Sequence, residues 1–352
     1  MVSKLKKAFV CNECGSDYPK WQGQCTDCNA WNTLTEIKLS SVSGKITRHQ
    51  GFSGSSDSSI NLLKDVQLEE VPRIRSGTSE LDLVLGGGFV PGSCVLLGGE
   101  PGAGKSTMLL QTLCFMAKSH EALYVTGEES SQQVAMRAKR LELPTDQVQI
   151  MTETSVENIC NVATEKKPKV LVIDSIQVVH LDDITSAPGS VSQVRESAAM
   201  LVRFAKKTNT ILILVGHVTK DGTLAGPKVL EHMIDCSLML EGRTDGQFRT
   251  LRGIKNRFGA VNELGVFAMT ERGLKAVSNP SAIFLQRNED LSSGSLVVVI
   301  WEGTRPMLVE LQALVDESHI GNPRRVTVGL DHNRLSMFCL LYTSDAADDD
   351  HC

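Results

Sequence analysis

The stretch Cys94-Val-Leu-Leu-Gly-Gly-Glu-Pro-Gly-Ala-Gly104-Lys105-Ser106-Thr107 decides the fold, because it joins an apolar β-type run to a glycine-rich loop and a helix-compatible segment. Residues Gly99, Glu100, Pro101, Gly102, Ala103, Gly104, Lys105, Ser106 and Thr107 follow the phosphate-binding loop pattern, with the strand before and the helix after that it requires. The glycines let backbone N–H groups curl around a β-phosphate, and the helix offers its positive N-terminus. Lys105 reaches the β- and γ-phosphates, and Ser106 ligates magnesium. ATP with Mg2+ is the expected ligand pair, on an α/β fold.

Outward from the loop, short β-branched runs at 122–126, 170–174, 211–216 and 236–240 alternate with amphipathic stretches, the pattern of a parallel sheet with helical crossovers. The run Val170-Leu-Val-Ile-Asp174 ends in a carboxylate at the strand tip, where open α/β sheets place ligands. Asp174 is therefore expected to be the magnesium-side acid, with helix capping as the competing role. In Tyr124-Val-Thr-Gly-Glu128-Glu129-Ser130, Glu128 is expected to orient the attacking water, with Glu129 as the alternative. A helical stretch follows Ser130, so N-capping competes for either acid. His217 ends the run at 211–216, where it could sense a γ-phosphate or simply be a satisfied strand-end histidine.

Near the N-terminus, Cys11-x2-Cys14 and Cys25-x2-Cys28 are two knuckles at the spacing of a four-sulfur zinc site. Such a site has no open coordination position, so its zinc is structural and the module folds around it. Gly15 and Asn29 follow the second cysteine of each knuckle, where a tight turn is expected. Trp21 and Trp31 are read as the module's miniature core, with base stacking as the alternative. The other cysteines (94, 114, 160, 236, 339 and 352) are scattered singly, which indicates reduced thiols.

The 352 residues suit two or three domains, and 41% apolar with 22% charged residues is ordinary globular composition. No run approaches a membrane span, and no apolar signal core follows Met1 to Lys7, so cytoplasmic residence is expected. Four of the charges behind the net −5 lie at Asp345, Asp348, Asp349 and Asp350. The near-neutral remainder neither requires nor excludes nucleic acid.

The motifs Trp21-Gln-Gly-Gln-Cys25, Ser76-Gly-Thr-Ser-Glu-Leu-Asp82, Leu85-Gly-Gly-Gly88 and Lys255-Asn-Arg-Phe-Gly259, taken together, resemble the RadA/Sms family of bacterial recombination and repair proteins over about residues 8–340. The resemblance implies a RecA-like ATPase core with an N-terminal four-cysteine zinc module and a C-terminal Lon-protease-like α+β domain. It implies a ring-forming, DnaB-like hexameric motor that drives branch migration with the RecA recombinase, acting on single-stranded DNA and branched intermediates. Lys255 and Arg257 would reach a neighbouring subunit's nucleotide and affect DNA binding. The segment 217–228, with Lys220 and Lys228, would face DNA. A nucleotide-switched adaptor without motor activity is the rival reading, and a clock-type RecA-fold kinase is a weaker one.

The expected division is a zinc module at 8–34, a Ser/Gly linker at 40–59, the ATPase domain at 60–275 and a partial Lon-like domain at 276–340. An acidic tail at 341–352 departs from the family, so the chain is expected to be shortened or altered there. No serine–lysine dyad can be placed, and no peptidase activity is expected.

Overall fold

The computed structural model describes residues 6–18, 20–39, 72–216, 228–242, 246–281, 285, 294–315, 326–329, 331–332 and 335. His217, Lys220, the linker at 40–59 and the tail at 341–352 lie outside the described residues, as does the side chain of Lys228. Two units are distinguished: Met1–Ile283 with Val299–Leu308, and Phe284–Val298 with Val309–Cys352. Among the described residues no helix is long and apolar enough to cross a membrane.

The first strands, β1 (Lys6–Cys11), β2 (Asp17–Tyr18) and β3 (Leu34–Leu39), form a small antiparallel sheet in the order β2-β1-β3. Its core is Cys11, Cys25 and Leu34, with Phe9, Cys14 and Tyr18 packed against them. The two tryptophans are not part of it. Trp21 is 56% and Trp31 69% exposed, which corrects the expectation that they form the module's interior. The thiols, Phe9, Tyr18 and Leu34 already fill so small a volume. The two indoles instead flank Gly23, where a Cβ would lie 3.8 Å from one ring and 3.9 Å from the other.

The main sheet follows α1 (Ser79–Val84) with β4 (Cys94–Gly99), α2 (Lys105–Met116), β5 (Ala122–Thr126), α3 (Ser131–Arg140) and β6 (Val148–Thr152). The chain continues through α4 (Val156–Lys166), β7 (Val170–Asp174), α5 (Val191–Thr208), β8 (Ile211–Val215), α6 (Lys228–Glu231) and β9 (Cys236–Glu241). Strands β9, β4, β8, β7, β5 and β6 are parallel neighbours in that order. The antiparallel strands β10 (Phe248–Asn256), β11 (Leu264–Thr270) and β12 (Gly273–Ala276) then extend the sheet from β9.

The central strands are buried on both faces, which is why they read as continuous apolar runs. Side-chain alternation sorts them into two cores. Val95, Leu97, Tyr124, Val172 and Ile213 join α1 and α2 on one side, while Leu96, Leu123, Leu171, Ile173 and Leu212 join α4 and α5 on the other. Strands β13 (Ser295–Glu302) and β14 (Arg305–Gln312) form a separate two-stranded sheet. Its tip belongs to the first unit, where Met307 packs on Leu264 and Val266.

Candidate functional site

Parallel strands put the residues following β4, β5 and β7 at one edge of the sheet. Thr126 of β5 is in register with Asp174 of β7, so the Glu128 loop and Asp174 are neighbours. The loop after β4 turns where only glycine fits: a Cβ on Gly99 would stand 2.4 Å from the Leu240 carbonyl oxygen. Gly104, at φ 106°, caps α2 without a side-chain hydrogen bond, leaving the first amides of a twelve-residue helix for an anion. Lys105 is buried and donates to the carbonyls of Gly99 at 2.7 Å and Glu100 at 3.0 Å. Burial lowers its pKa, while Asp174 and Glu128 oppose that shift, which places all three groups in one electrostatic site.

Each acid at this edge has its own donor. Tyr124 donates its hydroxyl to Asp174 Oδ2 at 2.5 Å, and Ser175 donates its own to Glu128 Oε1. Glu129 pairs with Arg137, and its backbone N–H donates to Thr126. The competing capping roles are taken elsewhere. Ser130 caps α3 in a reciprocal capping box with Gln133, and Ser190 caps α5, the first helix after Asp174. Glu129 is thus committed to α3, whereas Glu128 stands on the side of Lys105 and Asp174. Burial and then the neighbouring Asp174 carboxylate push the Tyr124 phenol above its ordinary value, so it remains a neutral donor.

Lys255 and Arg257 lie at the opposite edge. Asn256 is in register with Cys236, and Cys236 with Val95, at the start of β4 rather than its end. From Val95 to Gly99 the strand rises about 13 Å, so neither cation meets the phosphate loop of its own chain. Lys255 donates to the carbonyls of Glu231 and Ile234, and Arg257 to Asp235 Oδ1 and the His232 carbonyl. Buried Asp235 also accepts from Lys206 at 2.8 Å and from the Cys94 amide at 3.0 Å. Both cations therefore hold the turn after α6.

The sulfurs of Cys11, Cys14, Cys25 and Cys28 lie within 4.8 Å of one another, with Cys14–Cys25 at 3.4 Å and Cys11–Cys28 at 3.6 Å. Tetrahedral zinc at Zn–S about 2.3 Å puts its sulfurs about 3.8 Å apart, so the four thiols fit the ion. The two knuckles are alike: the amide of Gly15 donates to the Cys11 carbonyl and that of Asn29 to the Cys25 carbonyl, and both turn residues have positive φ. A hydrogen bond from Tyr18 is the largest cause lowering Cys25 to about 6, while Cys28 of the same cluster is pushed up to about 12.

Three further residues that no sequence motif marks touch the candidate site. Tyr124 and Ser175 adjoin recognised motifs, but only their hydrogen bonds show a role. Arg249 of β10 is buried and donates to the Ala103 carbonyl at 3.1 Å, bracing the phosphate loop from a distant strand.

The AAA domain family matches residues 62–223, and the rubredoxin metal binding domain family matches 9–36. The DNA repair protein RadA of Haemophilus influenzae is 62% identical over 338 residues, covering 96% of this chain and 74% of its own. RadA of Escherichia coli is 62% identical over 341 residues, and RadA of Bacillus subtilis 46% over 339, each at the same coverage. Among solved structures, a KaiC-like protein of Pyrococcus horikoshii aligns with TM-score 0.49 and 22% identity, covering 59% of this chain and 99% of that one.

Proposed function

The chain belongs to the RadA family of DNA repair proteins, and from that membership we propose that it is a DNA-dependent ATPase motor that promotes branch migration in homologous recombination. The observation that carries this reading is the division of one sheet between two edges, with Lys105, Asp174 and Glu128 at one and Lys255 and Arg257 at the other. Lys105 and the first amides of α2 bind the phosphates of ATP, with residues 99–107 forming the cradle. Ser106 and Asp174 hold magnesium, which neutralises charge on the transferred phosphoryl group. Glu128 orients the attacking water and accepts its proton.

Lys255 and Arg257 meet a nucleotide only across a subunit boundary. A head-to-tail arrangement that closes into a ring brings the far edge of one copy to the near edge of the next, which supports a ring; six subunits come from the family resemblance alone. The same two cations, with Lys220 and Lys228, contact single-stranded DNA through its backbone, without sequence preference. His217 senses the γ-phosphate. Branched intermediates and the RecA recombinase are the partners, in the cytoplasm. The ATPase domain spans 60–275, joined to the zinc module at 8–34 by the linker at 40–59. The region 276–340 serves as scaffold and DNA-contact surface, and not as a peptidase.

ATPase rate measured with and without single-stranded DNA, paired with sizing in ATP, tests the reading. Stimulation by DNA together with an ATP-dependent ring supports it. A rate indifferent to DNA in a chain that still changes shape with nucleotide points to an adaptor instead.

A further inference from the structure

Asp174 stands at the tip of β7, where a carboxylate can rotate freely about its terminal torsion. Tyr124 lies two residues before Thr126 on the adjacent strand, and period-two alternation sends both side chains to the same face as Asp174. The ring is buried in the core that also takes in α2 and α3, so its own position is fixed by packing. Its hydroxyl donates to Asp174 Oδ2. Arg137 and Glu129 form an ion pair beside it, and the guanidinium interacts through space with both Tyr124 and Asp174.

We propose that Tyr124 is a positioning residue for the magnesium site: it holds one oxygen of Asp174 and so presents the other to the cation. The inference rests on Asp174 being the magnesium-side acid. A hydroxyl suits the task better than a cation would, since it fixes the carboxylate without cancelling the charge that attracts magnesium. It also differs from the bland role of a satisfied core tyrosine in a way that can be measured. A purely structural hydroxyl affects stability alone, whereas a positioning one affects the linkage between magnesium and nucleotide.

The test uses the full zinc-loaded chain and a fluorescent, non-hydrolysable ATP analogue, with affinity measured in chelator-free buffer exchanged free of Mg2+ and across a Mg2+ titration. The wild type gains affinity with Mg2+, and Asp174→Asn is expected to lose that gain. Tyr124→Phe is expected to keep its Mg2+-free affinity within about twofold while losing about tenfold of the Mg2+-dependent gain, the scale of one charge-assisted hydrogen bond. If Asp174→Asn keeps the full gain, the assignment of Asp174 fails and the inference with it. If Asp174→Asn loses the gain and Tyr124→Phe keeps all of it, Tyr124 is structural only and the inference is overturned. Should Tyr124→Phe not fold, fluorotyrosine labelling of the otherwise unaltered chain replaces it. The Tyr124 19F resonance is expected to move when Mg2+ joins bound nucleotide, and an unmoved resonance overturns the proposal.

Discussion

Lys105 spends its hydrogen bonds on carbonyls of its own loop, so phosphate binding exchanges those contacts for charged oxygens. Lys105→Ala is expected to abolish hydrolysis. Glu128→Gln should retain nucleotide binding while turnover falls about 100-fold or more, the value of a positioned general base, as read by steady-state ATPase and analogue binding. Glu129→Gln should behave differently, because its carboxylate serves Arg137 on α3. It is expected to lower stability by about 1–3 kcal/mol, intermediate between exposed and buried ion pairs, with turnover changed far less. Normal turnover in Glu128→Gln beside an inactive Glu129→Gln would reverse the two assignments.

At the level of elements, the zinc ribbon has its own small core and its own sheet. Chelation is expected to unfold it, as seen by tyrosine and tryptophan fluorescence, while nucleotide binding by the main sheet persists. Loss of nucleotide binding on chelation would show that the two depend on each other. Because Trp21 and Trp31 stand outside the core, Trp21→Ala and Trp31→Ala should keep full zinc content and change the module's stability by no more than about 0.5 kcal/mol. A large loss in either variant would return the indoles to a structural role. The sequence hid two other features at this scale. Strand β6 is an edge strand with mixed burial, and β10 carries Arg249 at an inward-facing position where alternation would expect an apolar residue.

Across the first unit, distant segments meet through buried charge. Arg305 at the tip of the β13–β14 sheet grips Glu80 of α1 with two bonds of 2.9 Å, and Glu80 also accepts from the Val266 amide. Glu263 accepts from the Thr304 amide at 3.1 Å, and Arg252 donates to Glu302 at 2.8 Å. Arg305→Ala would leave the Glu80 carboxylate buried without its cation, and the core's thermal transition should lose about 3–5 kcal/mol. Replacing both partners by leucine should recover only part of that loss, since it removes the stranded charge but leaves the Val266 amide without its acceptor. Equal stability of Arg305→Ala and wild type would show that the joint contributes nothing.

The phosphate loop, the four-cysteine ribbon and the central strands were legible in the sequence because each is local. Backbone curvature needs glycines at fixed offsets, tetrahedral sulfur needs paired knuckles, and a strand buried on both faces needs an unbroken apolar run. Which acid belongs to which donor was not legible, nor was the outward turn of the tryptophans. The bonds Tyr124–Asp174, Arg249–Ala103 and Glu80–Arg305 join residues 50, 146 and 225 positions apart, and no sequence spacing encodes them. Only the packed sheet, by fixing strand order and register, decided those pairs and set Lys255 and Arg257 at the edge opposite Lys105.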